Sequence, residues 1–271
     1  MHDFRRLGRF VLSRLHIELL TFVRTPDALF FTFLLPVLFV LVFSMIFRWD
    51  IEGPPGSEPV SFPQYFVPGM IAAGVMSVTF VYIATAVAAE QHDGLLRRLS
   101  ATPLPRAAYF GGKVGLAFIT SVLIVLVILA LGALAFGVRL PTEPEKWGVL
   151  AAVVFLGAGS CTLLGLAYTR LIGSSGSAAA VVQPPYIVLQ FISGVFIQYS
   201  MVPDWLQAVA SIFPLRWMAQ ATRSVFLPEW VAYSEYGGGW DVGTSFAVLL
   251  AWFVAAAVLA RLAFRWDRGA G

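Results

Sequence analysis

The chain has 271 residues, 59% of them hydrophobic and only 12% charged, with a formal net charge of +3 at pH 7. Soluble domains carry about 25% charged residues, so 18 basic and 15 acidic side chains beside 23 phenylalanines cannot make a soluble surface. The same figures exclude a disordered chain, a coiled coil and a collagen, and a single cysteine excludes a disulfide framework and a multi-cysteine metal site.

Residues 4–24 place Phe4, Leu7, Phe10, Val11, Leu15, Leu19 and Phe22 at helical spacing, with Arg5, Arg6, Arg9 and Arg14 largely between them. This pattern predicts an amphipathic helix lying in the membrane interface, its arginines at the headgroups. It is either a topology anchor or an elbow that packs against a partner. The mixed charges before residue 28 and the absence of a small-residue cleavage motif argue for a retained first span rather than a signal peptide.

A spanning helix needs about 20 mostly apolar residues. Six charge-free windows meet that need: Ala28–Phe47, Tyr65–Ala89, Val114–Val138, Trp147–Thr169, Ser177–Tyr199 and Val242–Ala260. The fold class expected is therefore an all-α polytopic membrane protein with six transmembrane helices. With the N-terminus inside, segments 1–27, 90–113, 170–176 and 261–271 hold 13 of the 18 basic residues. The outer segments hold 9 of the 15 acids. By the positive-inside rule both termini are cytoplasmic, with Arg261, Arg265 and Arg268 agreeing at the C-terminus. The basic excess reads as membrane orientation, and no nucleic-acid partner is expected, since the basic residues are not interleaved with stacking aromatics. The whole chain, 1–271, reads as a single membrane domain: an elbow helix over 1–27, a bundle over 28–260 and a tail over 261–271.

Between the spans, residues 50–63 read as an irregular outer loop rich in Pro, Gly and acid. In the inner loop, Glu90 to Leu99 predicts one short amphipathic helix stopped by Thr102-Pro103 and Leu104-Pro105. It is either a docking element or a charged hairpin that orients the spans. Gly111 and Gly115, and Gly157, Cys161 and Gly165, have the small-residue spacing that lets helices approach closely; Cys161 reads as packing, not as a nucleophile. Residues 170–177 are a flexible inner turn. In the fifth span Gln183, Tyr186, Gln190 and Ser193 share one helix face, and Pro184-Pro185 is expected to kink or break the helix. A polar stripe in lipid must face protein or a water-accessible path, so it serves either interhelical hydrogen bonding or a substrate path. Residues 200–241 predict a pair of half-buried short helices capping the outer face, the first capped by Asp204. Trp205, Trp217, Trp230 and Trp240 suit the membrane interface, and residues 236–240 a hinge.

Several chemistries lack their residues. His2, His16 and His92 form no metal-ligand pattern, and no phosphate-binding Gly-x-x-x-x-Gly-Lys-Ser/Thr motif occurs. No Ser–His or Cys–His pair falls at membrane depth. No catalytic residue and no metal ligand is therefore expected, and no carboxylate, Lys, Arg or His lies in a span to couple ion movement. The chain supplies a path without an energy source, which points to a partner.

The order of features resembles the permease subunit of type-2 ABC exporters, in particular bacterial drug-resistance permeases, over almost the whole chain. The resemblance rests on three segments. The first is the N-terminal helix ending in Arg24-Thr25-Pro26. The second and most specific is the inner loop from Gly94 through Arg97-Arg98 and Thr102-Pro103-Leu104 to Lys113. The third carries Leu189, Ile192, Ser193, Val195, Pro203, Pro214-Leu215 and Arg223. Tyr186, Val202 and Trp217 depart from the usual pattern. The resemblance implies a dimer with a second permease copy or paralogue in the bacterial plasma membrane, in contact with membrane lipids. Two copies of a cytoplasmic ATP-binding cassette subunit would bind ATP and Mg, leaving no cofactor in this chain and no ATPase site of its own. It implies that Glu90, Leu95, Leu96, Arg97, Arg98 and Leu99 contact that ATPase. Spans two and five would line the path, and the outer helices would gate it. Combined with the polar stripe, this makes Phe80, Tyr82, Gln183, Tyr186, Gln190, Phe191 and Ser193 the expected substrate-path residues, for amphipathic drugs or lipids moved outward. A lipid-linked glycan exporter of the same broad family and a non-transport scaffold are the alternatives.

Overall fold

A computed structural model describes residues 2–235 and 238–264, with the side chains of all of these but 2–5, 27, 28, 31 and 234. The side chains of Phe4 and Arg5, the hinge residues Tyr236 and Gly237, and the tail residues Arg265 and Arg268 lie outside that description.

The protein is mostly helical, in line with a polytopic membrane protein. Helix α1 spans His2–Arg24 and α2 spans Pro26–Ile46. Pro26 starts α2, where its missing N–H would have no partner in any case. Pro36 inside α2 frees the carbonyl of Thr32, and the Ser77 hydroxyl donates to that carbonyl at 3.4 Å. This is how a proline persists in an apolar helix: a neighbour satisfies the exposed backbone group. Beyond α2 the outer loop is not wholly irregular. A two-residue antiparallel ladder pairs β1, Asp50–Ile51, with β2, Val60–Ser61.

The central rod is one helical run in three parts: α3, Phe62–Met76; a π-helical turn, Ser77–Val81; and α4, Tyr82–His92. It exceeds the expected second span at both ends. Nearly all of α3 and the whole π turn are buried, packed by three later helices, Arg106–Phe136, Pro144–Tyr168 and Pro214–Phe226. The π turn sits on Gly165, where an added Cβ would come within 2.9 Å of the Phe80 carbonyl oxygen. Asp93 and Gly94 break the rod before α5, Leu95–Ser100. Gly94 has φ +74, a conformation that residues with a Cβ adopt at a cost. The expected single helix over Glu90–Leu99 is thus two elements, with Glu90 in the last turns of the rod.

Helix α6, Arg106–Phe136, begins eight residues before the expected third span and stops at Gly137, φ +65. Helix α7 runs Pro144–Tyr168. Helix α8 covers only Ala178–Ile192. At 1.5 Å per residue its 15 residues reach about 22 Å, short of a hydrocarbon core of about 30 Å. The expected fifth span to Tyr199 therefore ends seven residues early, where Gly194 turns the chain at φ +74. Pro184-Pro185 does not break it. The carbonyl of Val181, left without its usual donor by Pro185, accepts from the Tyr168 hydroxyl at 3.4 Å.

Two short helices follow: α9, Asp204–Ala210, and α10, Pro214–Phe226. Asp204 is the first residue of α9 rather than its cap, with Pro203 holding the cap position and no side-chain cap bond. The expected pair of half-buried helices is unequal. Helix α9 is largely exposed, whereas α10 is buried between α3, α7 and α11. Helix α11, Val242–Ala263, is started by the Asp241 carboxylate accepting from Thr244 N and packs chiefly on α7. By length and composition four helical runs suffice to cross a membrane: Phe62–His92, Arg106–Phe136, Pro144–Leu171 and Val242–Ala263. Two shorter apolar stretches, Thr32–Ile46 and Ala178–Ile192, accompany them.

Candidate functional site

The small residues of α6 explain why α1 is fixed. An added Cβ at Gly111 would meet Val11 at 2.9 Å, at Gly112 Arg14 at 2.6 Å, and at Gly115 Leu15 at 3.1 Å. These glycines form a groove in which α1 seats, so the seam expected from their spacing lies within the chain. The seam of α7 also does: Gly157 faces Met218, and Cys161 Sγ is 3.9 Å from Met218 Sδ.

In that groove the charges meet. Arg14 is not at a headgroup position but buried, 2.6 Å from Glu18. Lys113 Nζ lies 2.7 Å from Glu18 and 2.7 Å from Glu90. The Tyr109 hydroxyl donates to Glu90 at 2.6 Å, and Arg14 stands 3.6 Å from Glu90. Two cations and two carboxylates from three helices thus neutralise one another, all but Glu90 buried and Glu90 15% exposed. Such a cluster holds only in one geometry, since separation would leave a buried charge unpaired. Sequence reasoning placed Glu90 and Lys113 just outside the spans and missed the cluster. Its signal was Arg14 and Glu18 at i, i+4 on the apolar face of α1, opposite a lysine set among glycines.

Of the six residues expected to dock a partner, the structure turns two inward: Glu90 into this cluster and Leu96, fully buried. Leu95 and Leu99 are half-buried, and Arg97 and Arg98 are exposed on α5. The loop is rigid. The hydroxyl of Thr102 donates to Leu99 O at 2.7 Å, and His92 Nε2 lies 3.3 Å from Ile172 O, linking the rod to the turn after α7.

The expected substrate-path residues do not converge on one surface. Phe80 is buried against Tyr168, ring centroids 5.3 Å apart, and Tyr82 against Phe22 at 4.8 Å. Tyr186, Gln190 and Ser193 are buried and Gln183 half-buried. The stripe therefore faces protein, and the Tyr186 hydroxyl donates to Ala73 O at 3.0 Å. Among the described residues, Gln183 Oε1, Gln190 Oε1 and Ser193 Oγ have no hydrogen-bond partner. The outward face of α8 is apolar instead, with Ile187, Val188 and Phe191 exposed.

A second charged cluster, also unforeseen, fills the outer end of the bundle. Arg216, Gln220 and Arg223 lie on one face of α10. Arg223 pairs with Glu235 at 3.0 Å and donates to Gly194 O at the end of α8, while Arg216 lies 3.7 Å from Glu235 and donates to Gln220 at 2.5 Å. The two guanidinium groups sit 4.1 Å over the rings of Tyr199 and Tyr65. These residues were expected in the outer segment 200–241, on and after a pair of half-buried helices; they are buried because the arginine face of α10 is covered by aromatic rings and a carboxylate. Nearby, an outer cavity of about 500 Å³ is lined by Gln64, Arg139, Glu143 and Trp230 among others. Its charges pair locally, Glu58 with Arg139 and Glu143 with Lys146. The hydrogen bond from Arg139, then its charge, holds Glu58 below the usual carboxylate range. Among the described residues no group of three or more His, Cys, Asp or Glu is placed to hold a metal.

The family model described as ABC-2 family transporter protein matches residues 48–262. The chain is 24% identical over 238 residues to the daunorubicin resistance ABC transporter permease protein DrrB1 of Streptomyces coeruleorubidus, covering 86% of this chain and 77% of that protein. It is 23% identical over 199 residues to the inner membrane transport permease YadH of Escherichia coli K12, covering 71% and 74%.

Proposed function

The chain belongs to the ABC-2 family of transporter proteins, and on that premise we propose that it is the membrane-spanning subunit of an ATP-driven exporter of amphipathic drugs or lipids. The observation that carries the reading is the inner end of the rod. A short helix with exposed Arg97 and Arg98 is set rigidly on a buried helix that runs the depth of the bundle. The whole chain acts as one transmembrane domain with six apolar helices, α2 and α8 completing the four longer ones. The distribution of Lys and Arg supports cytoplasmic termini in the bacterial plasma membrane, with α1 at the cytoplasmic interface among membrane lipids.

Two copies of a cytoplasmic ATPase subunit bind ATP and Mg and supply the energy; this chain has no ATPase site of its own. Two permeases, this chain and a second copy or paralogue, form the path between them. ATP binding draws the ATPases together, residues 90–105 transmit the movement, and the inner side closes. Leu95, Arg97, Arg98 and Leu99 contact the ATPase, while Glu90 and Leu96 hold their helix in place. Cargo meets Phe191 and the apolar face of α8, and the unpartnered oxygens of Gln183, Gln190 and Ser193 serve it once the helix turns, with Tyr186 behind them, while Phe80 and Tyr82 pack elsewhere, against Tyr168 and Phe22. The resistance and transport named for the two relatives support this class of cargo. The test is Arg97→Glu with Arg98→Glu in native membranes. Export should be lost with membrane insertion intact; unchanged export would refute the coupling role.

A further inference from the structure

The N-terminal helix and the inner loop are joined by more than apolar contact. Lys113 of α6 bridges Glu18 of α1 and Glu90 of α4 at 2.7 Å each, and both carboxylates have a second partner, Arg14 for Glu18 and Tyr109 for Glu90. Lys113 is 1% exposed and Glu18 2%. The glycines of α6 bring the α1 side chains close enough for these bonds. An apolar seam between the same helices would let them slide, because burial is non-directional. An ion cluster resists sliding, because Lys113 and Glu18 are buried and a displaced charge there would be left without a counter-charge, Glu90 alone keeping an edge 15% exposed. On the other side of the cluster, Glu90 lies in the last turns of α4, and α5 follows after two residues with Leu96 buried against the protein. The cluster thus lies where a displacement of α5 first enters the membrane domain.

We propose that Lys113 is a positioning residue of energy coupling: through Glu18 and Glu90 it makes α1, α4 and the inner end of α6 one rigid body with α5, so that the N-terminal helix moves with the docking helix. The inference rests on the exporter reading for its role in coupling, but the rigidity is a property of the chain itself. The variants are Lys113→Met, Glu18→Gln with Lys113→Met, which leaves Arg14 facing Glu90 and so keeps the cluster neutral, and Lys113→Arg.

The full chain is purified from native membranes with its co-purifying ATPase. Spin labels are placed at Leu12→Cys and Ala101→Cys; the native Cys161 is fully buried. In the otherwise wild-type chain the label distance is narrow and the same with and without ATP and vanadate. In the neutral double variant it broadens, ATP hydrolysis continues, and export per ATP falls about tenfold, the size of an ordinary coupling free energy. Lys113→Arg restores both readouts. A double variant that folds, keeps the narrow distance and exports as much per ATP as wild type overturns the proposal. So does a wild-type distance that changes with nucleotide. If no ATPase co-purifies with the wild-type chain, the exporter reading fails and the coupling role fails with it, while the distance measurement still decides whether helix and loop are one body.

Discussion

Replacing Glu235 by Gln removes the carboxylate that Arg216 and Arg223 share. Both guanidinium groups are 1% or less exposed, so neither charge can be passed to water. Breaking one side of a buried ion pair costs about 3–5 kcal/mol, mostly because the remaining charge is left without a partner. Part is offset: a Gln at 235 still accepts a hydrogen bond, and the rings of Tyr199 and Tyr65, 4.1 Å below the two arginines, remain. Cation–π contact of this kind contributes about 0.5–2 kcal/mol, but it is present before and after the change and so only limits relaxation. The expected loss is about 3 kcal/mol. Arg216→Met makes the opposite test. It leaves Arg223 and Glu235 as a neutral pair at 3.0 Å and removes the cluster's excess positive charge. Its cost should be about 1 kcal/mol, the size of a lost hydrogen bond to Gln220. Melting of the detergent-purified chain, followed by size-exclusion recovery after heating, ranks the two. Glu235→Gln should melt well below Arg216→Met. Equal melting temperatures, or the reverse order, would refute the claim that Glu235 is what neutralises the outer arginines.

Gly112→Ala should destabilise by about 1–3 kcal/mol through overpacking, since its Cβ would fall 2.6 Å from Arg14 Cγ. Gly8→Ala on the open side of α1 should gain about 0.5–1 kcal/mol; the same thermal assay separates them. Glu58, depressed by Arg139, contributes stability that is complete above its ordinary value of 4.5 and is lost as pH falls through its lower folded value. Both partners are more than 70% exposed, so Glu58→Gln should shift melting at pH 7 by no more than about a degree, and a larger shift would show an unseen partner. Gln190→Leu removes a buried oxygen that has no partner among the described residues, so it should leave assembly intact and alter which compounds are exported. A wild-type export profile with a lost permease dimer would show that Gln190 serves packing alone.

What was legible in the sequence was whatever depends on local pattern. The apolar windows located α2, α7 and α11 to within a few residues because a membrane span is set by length and lack of charge alone. The glycine spacings located the grooves of α6 and α7 for a similar reason: a missing side chain is visible in one dimension. The inner charged cluster was not legible because its members come from three helices far apart in sequence. Lys113 is 95 residues from Glu18, and only the packing of α1 on α6 brings them within hydrogen-bonding distance. Counting each charge by the loop nearest to it set Arg216, Arg223 and Glu235 outside the bundle. Yet α10 gathers Arg216, Gln220 and Arg223 on one face, and such a helix must bury that face on partners or leave it in lipid unsatisfied. The same reasoning corrects α8. Its stripe of Gln183, Tyr186, Gln190 and Ser193 was rightly placed on one face, but the choice between packing and path turns on what lies opposite. There the Ala73 carbonyl on α3 meets the Tyr186 hydroxyl, while three oxygens of the stripe meet nothing. Part of the stripe is thus structural, and its other three oxygens have no hydrogen-bond partner among the described residues.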